Sequence, residues 1–207
     1  MKQIAELPPA FKRYEEMRGA LDFAVFKDAG GTREEILSAI PAALQRSNSF
    51  DPGKLRALGF ARIGEQIFFG DWYDLETGHL LKVGNWTTAD GRDLENPKLK
   101  DLDQVNVISG AAPCPEAGAG GQFAYAFTSP PYGLTGRPSG IQAVFDDIRK
   151  FVLPPNQCNE ICDWSSPHLP EVSDYFIAGM EWWGVFLFSV YLPETGQLTI
   201  IAGSETD

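Results

Sequence analysis

Residues 183–202 read WGVFLFSVYLPETGQLTIIA, two runs of large apolar residues separated by a Pro-Glu-Thr-Gly turn. The runs predict strands at 183–192 and 197–202, and Gly196 suits the left-handed position of a short hairpin loop. Alternate side chains of a strand point to opposite faces. One face would carry Trp183, Val185 and Leu187, and the other would carry Trp182, Phe186 and Phe188. We therefore expect a central strand that is covered on both faces; the alternative is that one face is left for a partner.

The Glu-Thr-Gly turn occurs twice in the chain. Residues 73–80 read YDLETGHL and resemble YLPETGQL at 191–198, so we predict a second hairpin with its turn at 76–78. One interpretation is an ancestral duplication, with two α+β halves at about 1–103 and 104–207. The alternative is that this turn recurs because its chemistry suits tight hairpins.

Two helices stand out between the predicted strands. Thr32 and Glu35 form a capping-box pattern that opens a helix over 32–46, which Pro41 should kink or restart. Apolar residues recur at helical spacing over 138–152 and predict an amphipathic helix. Weaker patterns predict a helix at 9–18, a short helix at 172–179, a loop at 111–121, and strands at 21–26, 65–73, 79–83, 104–108 and 123–128. Together these elements predict an α+β fold in a single domain over 1–207, with a mainly antiparallel sheet and two or three helices packed on it.

The chain has 207 residues and a net charge of −11, from 28 acidic and 17 basic side chains. Such a surface repels the phosphates of nucleic acids and anionic lipids, and it would attract a basic partner. The alternative is a well-solvated surface of the kind common in bacterial proteins. The N-terminus lacks the apolar core of a signal peptide, and the longest apolar stretch, Trp182–Leu192, has about half the length of a membrane-spanning helix. We expect a cytoplasmic protein with reduced cysteines and without membrane or nucleic-acid partners.

A short proline-rich string follows the predicted strand at 123–128 and reads Thr128-Ser129-Pro130-Pro131-Tyr132. It resembles the motif of S-adenosylmethionine-dependent enzymes that methylate the exocyclic amino group of cytosine, and the resemblance covers these five residues. It implies that Ser129 would accept hydrogen bonds from the target amino group and that Tyr132 would stack on the extruded base. The alternative is a proline-stiffened strand end that places Ser129 and Tyr132 at the rim of a pocket near the 111–121 loop.

Such a methyltransferase also needs a glycine-rich turn between a strand and a helix to hold its cofactor. The glycines of 118–121 precede a predicted strand instead of following one. The segment 176–179 has one glycine where the turn needs two. Neither segment completes the pattern.

Cysteine and histidine supply the weak candidates for a metal site. Cys158, Cys162 and His168, with Cys114 upstream, contain the thiolates and the imidazole of a tetrahedral zinc site. The alternative is that Cys158 and Cys162 share one face of a helix and pack as small apolar residues. Because the other half of the site would be a single cysteine in a loop, we expect no metal and no cofactor.

The sequence favours a binding protein over an enzyme. It contains two histidines and no Gly-x-Ser-x-Gly elbow, so no complete catalytic constellation emerges. Tryptophans dominate the energy of many interfaces, and four of them are candidate anchors if one face is open: Trp72, Trp86, Trp164 and Trp182. We expect a non-enzymatic acidic protein that binds a protein partner, with a basic partner favoured by charge. In general character the chain is similar to the immunity proteins of bacterial toxin systems, which bind and block a partner. The alternative is the methyltransferase.

Overall fold

The computed structural model describes residues 1–45, 47 and 49–206. Antiparallel sheets and helices alternate along the chain, which confirms the predicted α+β class. The strands, in chain order, are β1 (Lys2–Gln3), β2 (Leu21–Lys27), β3 (Ala61–Ile63), β4 (Tyr73–Asp74), β5 (His79–Leu80), β6 (Asn85–Thr88), β7 (Asp93–Glu95), β8 (Val107–Ala111), β9 (Glu160–Asp163), β10 (Val185–Leu192) and β11 (Gln197–Ser204).

The helices lie between these strands. The α-helices are α1 (Pro9–Glu16), α2 (Arg33–Ala39), α3 (Pro52–Leu58), α4 (Glu65–Phe69), α5 (Phe123–Thr128) and α6 (Pro138–Val152). Short 3₁₀ turns cover Ile40–Ala42, Leu99–Leu102, Leu169–Glu171, Asp174–Phe176 and Ala178–Glu181. Within the described ranges, six strands form the main antiparallel sheet in the order β1-β2-β11-β10-β9-β3, and β7-β6-β8 and β4-β5 form two smaller sheets.

Both predicted hairpins are present. β10 and β11 pair from Val185 opposite Ser204 to Leu192 opposite Gln197, and β4 pairs with β5. Gly78 and Gly196 have φ values of 71° and 63°, and each donates its N–H to the carbonyl four residues earlier. The two turns therefore share one geometry, in which a side chain would strain the glycine position. The division into halves at about residue 103 stays a prediction, and the main sheet combines strands from both sides of that point.

The two layers of helices cover opposite faces of the main sheet. Phe186, Phe188 and Val190 of β10 pack with α1, α4, α5 and α6, whereas Val185 and Leu187 pack with α2, α3 and the 169–176 turns. This arrangement confirms the prediction that both faces of the central strand are covered. β10 contributes buried side chains to the apolar clusters on both faces of the sheet. Burial of each large apolar side chain stabilises the fold by about 1.5–3 kcal/mol.

Trp183 lies on the other face from the predicted one. It packs against Phe186 with 5.2 Å between ring centroids, in the same apolar cluster as Phe188. The reason is Gly184, whose φ of 128° interrupts the extended backbone before β10 begins at Val185. The alternation predicted from Trp183 onward therefore holds only from Val185.

The strands predicted at 123–128 and 65–73 are wrong over most of their length. Residues 123–128 form α5, and Phe123–Phe127 are all buried. Residues 65–69 form α4, and the β-structure begins only at Tyr73. Because α5 is surrounded by other elements, its apolar residues do not mark one face, and their alternation with alanine imitates a strand.

Other boundaries differ from the predictions to a smaller extent. The capping box of Thr32 and Glu35 is confirmed, and α2 passes into the 3₁₀ turn at Ile40–Ala42, where Pro41 restarts the helix. The predicted end of this helix at residue 46 lies outside the described residues. The segment 172–179 forms 3₁₀ turns, and the strand expected at 104–108 lies at Val107–Ala111. The elements that were not predicted include α3, the short strands β1, β6 and β7, and β9 in a segment that looks irregular in sequence.

Candidate binding site at one end of the sheet

Four strands of the main sheet meet at one end of it. β2 begins at Leu21, opposite Gly203 of β11, and β10 begins at Val185, opposite Ser204. β9 ends at Asp163, opposite Phe188. We call this region the Trp182 end, because Trp182 lies just before β10 at the same edge.

Trp182 is held at the surface by a tightly packed turn. The 3₁₀ turn Ala178–Glu181 precedes it, and Gly179 donates its N–H to Oγ of Ser204 at 2.8 Å. The N–H of Gly184 closes the turn on the carbonyl oxygen of Gly179, also at 2.8 Å. A Cβ added at Gly179 would contact the Gly184 carbonyl, so the close approach requires glycine. Trp182 is 43% exposed, and Ile177 in the same segment is 59% exposed.

Tyr132 is the second exposed aromatic residue at this end, with 67% of its surface accessible. Pro130, Pro131 and Tyr132 line an open cavity of about 280 Å³ together with Arg18 and the segment 19–20. Glu205, which follows directly after β11, lines the same cavity and places it at the Trp182 end. The two prolines end the chain's helical course after α5 and project Tyr132 towards solvent.

Ser129 does not line this cavity, and the motif does not follow a strand. Ser129 is half-buried behind the prolines, with its Oγ 3.3 Å from Oγ1 of Thr128. The string 128–132 begins at the last residue of α5, so the expected strand end is absent. The cytosine methyltransferase motif that the string resembles follows a strand, whereas here the string follows a helix.

The segment 112–122 is tied down along its length. Sγ of Cys114 lies 3.4 Å from the carbonyl oxygen of Trp182 and 3.3 Å from the hydroxyl of Tyr125. Further along, Gly121 donates its N–H to Oδ2 of Asp163 at 2.6 Å. The segment therefore runs from Trp182 to Asp163, which places it beside both groups at this end of the sheet.

Asp163 is the buried acidic group of the site. It is 8% exposed, and it also accepts a hydrogen bond from the N–H of Ser165 at 2.9 Å. Burial raises the pKa of the Asp163 carboxyl above its ordinary value, and the hydrogen bonds from Ser165 and Gly121 oppose that rise. Carboxylates whose pKa is shifted by burial and that line a cavity are candidates for function, because such groups cluster at functional sites.

The last part of the chain is acidic, and Arg18 is a basic residue at this end, where it lines the cavity beside Tyr132. Residues 151–207 contain no lysine or arginine, and their acidic side chains are Glu160, Asp163, Glu171, Asp174, Glu181, Glu194, Glu205 and Asp207. The exposed Asp174 accepts hydrogen bonds from the hydroxyls of Ser47 and Ser49, which hold the pKa of its carboxyl below the ordinary value. Asp174 therefore stays ionised at neutral pH, in the turn whose carbonyl accepts the N–H of Ile177.

The other predicted tryptophans lie away from the surface or in another part of the fold. Trp72 and Trp164 are buried, the first against Tyr125 with 4.8 Å between ring centroids. Nε1 of Trp164 donates to Oγ of Ser189 at 3.0 Å. Trp86 is half-buried on β6 of the three-stranded sheet, where Nζ of Lys82 lies 3.8 Å from its ring centroid. Of the four predicted anchors, Trp182 is the one with a largely accessible ring.

The cysteines and histidine proposed as metal ligands do not converge. Cys158 is exposed and Cys162 is buried on β9, so the two cysteines do not share a helix face as one interpretation expected. Nδ1 of His168 lies 2.9 Å from Glu171 on the exposed surface. Across residues 1–45, 47 and 49–206, no group of three or more His, Cys, Asp or Glu side chains is arranged to hold a metal ion.

Sequence reasoning found Tyr132 and Trp182 but missed Ile177, Glu181 and Asp163. The absence of lysine and arginine after Lys150 was the available signal, because it marks a strongly one-signed segment. The strand that ends at Asp163 gave no comparable pattern.

Comparison with protein-family models, curated protein sequences and solved structures gives no match to this chain. Among the described residues, no helix has both the length and the apolar character needed to cross a membrane.

Proposed function

We propose that this chain is a non-enzymatic acidic binding protein whose Trp182 end docks on a basic protein partner. The observation that carries the proposal is Trp182 itself, a large aromatic side chain that is 43% exposed and follows a turn hydrogen-bonded to the end of β11. Tryptophan at the centre of an interface often contributes 2 kcal/mol or more to binding. By analogy with immunity proteins, binding would block the partner's activity.

The apolar part of the surface is formed by three side chains. Tyr132 and Ile177 are 67% and 59% exposed, and both lie at the same end of the main sheet as Trp182. Exposed tryptophan and tyrosine side chains are enriched in interfaces, since each buries a large area at a small cost in side-chain entropy. These residues would form the apolar centre of the contact.

The charged part of the surface selects a basic partner. Glu181 directly precedes Trp182, Glu205 lines the cavity beside Tyr132, and Asp174 lies three residues before Ile177. A surface of one sign accelerates the approach of an oppositely charged protein and repels proteins of the same charge. Association should therefore weaken as salt screens the acidic side chains.

His168 and Ser165 are each engaged by other groups. His168 pairs with Glu171 at the surface, whereas Oγ of Ser165 accepts the N–H of Leu187. Neither group is oriented towards the other as a base and a nucleophile are in hydrolases. We further propose a cytoplasmic location, where Cys114, Cys158 and Cys162 would stay reduced, as the free thiols of the structure are.

Photocrosslinking in the native host tests this proposal. The photoreactive amino acid p-benzoylphenylalanine replaces Trp182 in one variant and Ile108 in a control variant. Ile108 is 62% exposed on β8 of the separate three-stranded sheet, so it is more accessible than Trp182 and lies in a different sheet. The proposal expects one discrete adduct with a basic protein from position 182 and none from position 108. Equal labelling from both positions, or no adduct at 182, contradicts it.

A further inference from the structure

Asp163 is a buried carboxylate with no charged partner in the part of the chain that the structure describes. Its neighbours in the sheet are Ala61 on β3 and Phe188 on β10. None of the lysine, arginine and histidine side chains of the described residues forms an ion pair with it. Backbone N–H groups of Gly121 and Ser165 satisfy part of its hydrogen-bonding capacity. A carboxylate can accept about four hydrogen bonds, so acceptor positions remain.

The backbone around Asp163 is shaped to approach it closely. A Cβ added to Gly120 would lie 2.5 Å from Oδ2 of Asp163, and one added to Gly121 would lie 2.5 Å from the carbonyl oxygen of Ile67. Both glycines have positive φ, 83° and 64°. The glycines therefore let the main chain pack directly on the carboxylate, which fixes its position without supplying a positive charge.

Asp163 lines a cavity of about 290 Å³. Its lining includes polar side chains, those of Asp163, Ser165 and Ser166, and apolar side chains, those of Leu58, Phe60 and Ala61. This volume is close to the lower end of the range of about 300–1,000 Å³ for small-molecule sites, and it suits a single side chain or a small ligand. The apolar stem of a ligand would contact the apolar side chains, and its charged head would contact Asp163 and the serines.

We propose that this cavity binds a cationic group on an apolar stem, either an alkylguanidinium or an alkylammonium, through the carboxylate of Asp163. Ion pairing would offset the desolvation of the buried carboxylate, which the protein itself leaves without a counter-charge. The hydroxyls of Ser165 and Ser166 would accept further N–H groups of the head. The site is defined by residues other than the exposed aromatic side chains of the Trp182 end, so it goes beyond the proposed function and does not depend on it.

A two-probe titration of the purified protein tests the charge requirement. n-Butylguanidinium and its neutral isostere n-butylurea are added separately, and binding is followed through amide chemical shifts of residues 119–121 and 163–166. We expect saturable binding of the guanidinium and at least tenfold weaker binding of the urea. Equal binding of the two probes overturns the proposal.

Two substitutions, each with a matched control, locate the binding in the cavity. Asp163→Asn should weaken binding of n-butylguanidinium at least tenfold, whereas Glu76→Gln, which removes an exposed charge in the 76–78 turn, should change it less than twofold. Ala61→Arg places a guanidinium on the residue opposite Asp163 in the sheet, so it should abolish probe binding and raise the melting temperature. Ala61→Gln fills the same space without charge and should not raise it. If Asp163→Asn does not fold, the Ala61 pair decides, and persistent binding to Ala61→Arg overturns the proposal.

The same titration identifies the source of the cation. A blocked Gly-Arg-Gly peptide presents the guanidinium as a side chain of a protein, whereas n-butylguanidinium presents it as a free small molecule. Tighter binding of the peptide assigns the cavity to a basic side chain of a partner, and tighter binding of the free cation assigns it to a small ligand. Both results support the site. Binding of neither probe at concentrations up to tens of millimolar overturns it.

Discussion

The backbone N–H of Gly121 lies 2.6 Å from Oδ2 of Asp163, and 42 positions separate the two residues in sequence. The contact fastens one end of the 112–122 segment to the buried end of β9. Cys114, near the other end of the segment, lies against the carbonyl oxygen of Trp182. The segment predicted as a loop therefore connects the acidic cavity to the exposed tryptophan through these two contacts. The 112–122 segment therefore contacts both proposed sites, the cavity at Asp163 and the surface at Trp182.

The burial of Asp163 predicts that its contribution to stability decreases as pH rises, which is opposite to the usual behaviour of a carboxylate. Burial raises the pKa of this carboxyl in the folded state above its unfolded value. The folded state then binds the proton more tightly, so the contribution of Asp163 to stability falls as pH rises from the unfolded pKa through the folded pKa. The free energy of unfolding of the wild type, minus that of Asp163→Asn, should decrease over this window and then level off. Urea denaturation between pH 3.5 and 8 measures it.

Asp103 provides the control with the opposite sign. It accepts hydrogen bonds from the hydroxyl and the N–H of Ser139 at 2.5 and 2.8 Å, and these bonds lower its pKa. Its contribution to stability should be present above its ordinary pKa and be lost as pH falls through the lowered folded value. The difference between the wild type and Asp103→Asn should therefore increase with pH. A rising curve for Asp163 as well would contradict the assignment of burial as the dominant cause.

Gly120→Ala should destabilise the fold because it disturbs the contact between the 112–122 segment and Asp163. The added Cβ meets Oδ2 of Asp163 and must adopt a φ of 83°, so we expect a loss of about 1–3 kcal/mol in the free energy of unfolding. Gly140→Ala is the matched control, because Gly140 lies in α6 at an ordinary φ with no atom within 4 Å of the new Cβ. That change should stabilise the protein by about 0.5–1 kcal/mol. Equal effects of the two substitutions would show that the 112–122 segment is not closely packed against Asp163.

The capping box of α2 makes a prediction that sequence and structure share. Oγ1 of Thr32 accepts the N–H of Glu35 at 3.3 Å, and the Glu35 carboxylate accepts the N–H of Thr32 at 3.2 Å. Thr32→Ala should cost about 1 kcal/mol in chemical denaturation. Ser38→Ala, on the exposed side of the same helix, should stay within about 0.5 kcal/mol of the wild type. A loss at Ser38 as large as that at Thr32 would refute the role of the cap.

Sequence patterns predict the elements whose pattern reflects one buried face. The helix at 138–152 matches α6 at both ends, because its apolar residues lie on one side and its charges on the other. The β10–β11 hairpin is equally clear, since Gly196 marks the turn between two long apolar runs.

Sequence patterns do not predict an element that is buried on all sides, or a short strand whose conformation depends on pairing with its neighbours. α5 is surrounded by aromatic side chains, such as Tyr14 and Phe145 around Phe127, so its sequence shows no helical period. β9 has four residues, and its conformation follows from pairing with β10 and β3 and not from its own composition. The site depends on β9 and on the 112–122 segment. The sequence therefore predicted the exposed aromatic residues and missed the buried carboxylate.

Salt provides a separate test of the charge argument for partner binding. With the partner that crosslinks to position 182, the dissociation constant should rise at least tenfold between 50 and 500 mM NaCl, because the acidic side chains around Trp182 are then screened. The change should appear mainly in the association rate, which surface plasmon resonance resolves. A dissociation constant that is constant over this range would contradict a role for the acidic residues.

The affinity of Trp182→Ala for that purified partner tests the central proposal most directly. Isothermal titration calorimetry compares it with the wild type and with Ile108→Ala, after circular dichroism confirms that all three proteins are folded. The account predicts that Trp182→Ala weakens binding at least about thirtyfold, equivalent to about 2 kcal/mol, while Ile108→Ala changes it less than twofold. An affinity of folded Trp182→Ala within twofold of the wild type would contradict it.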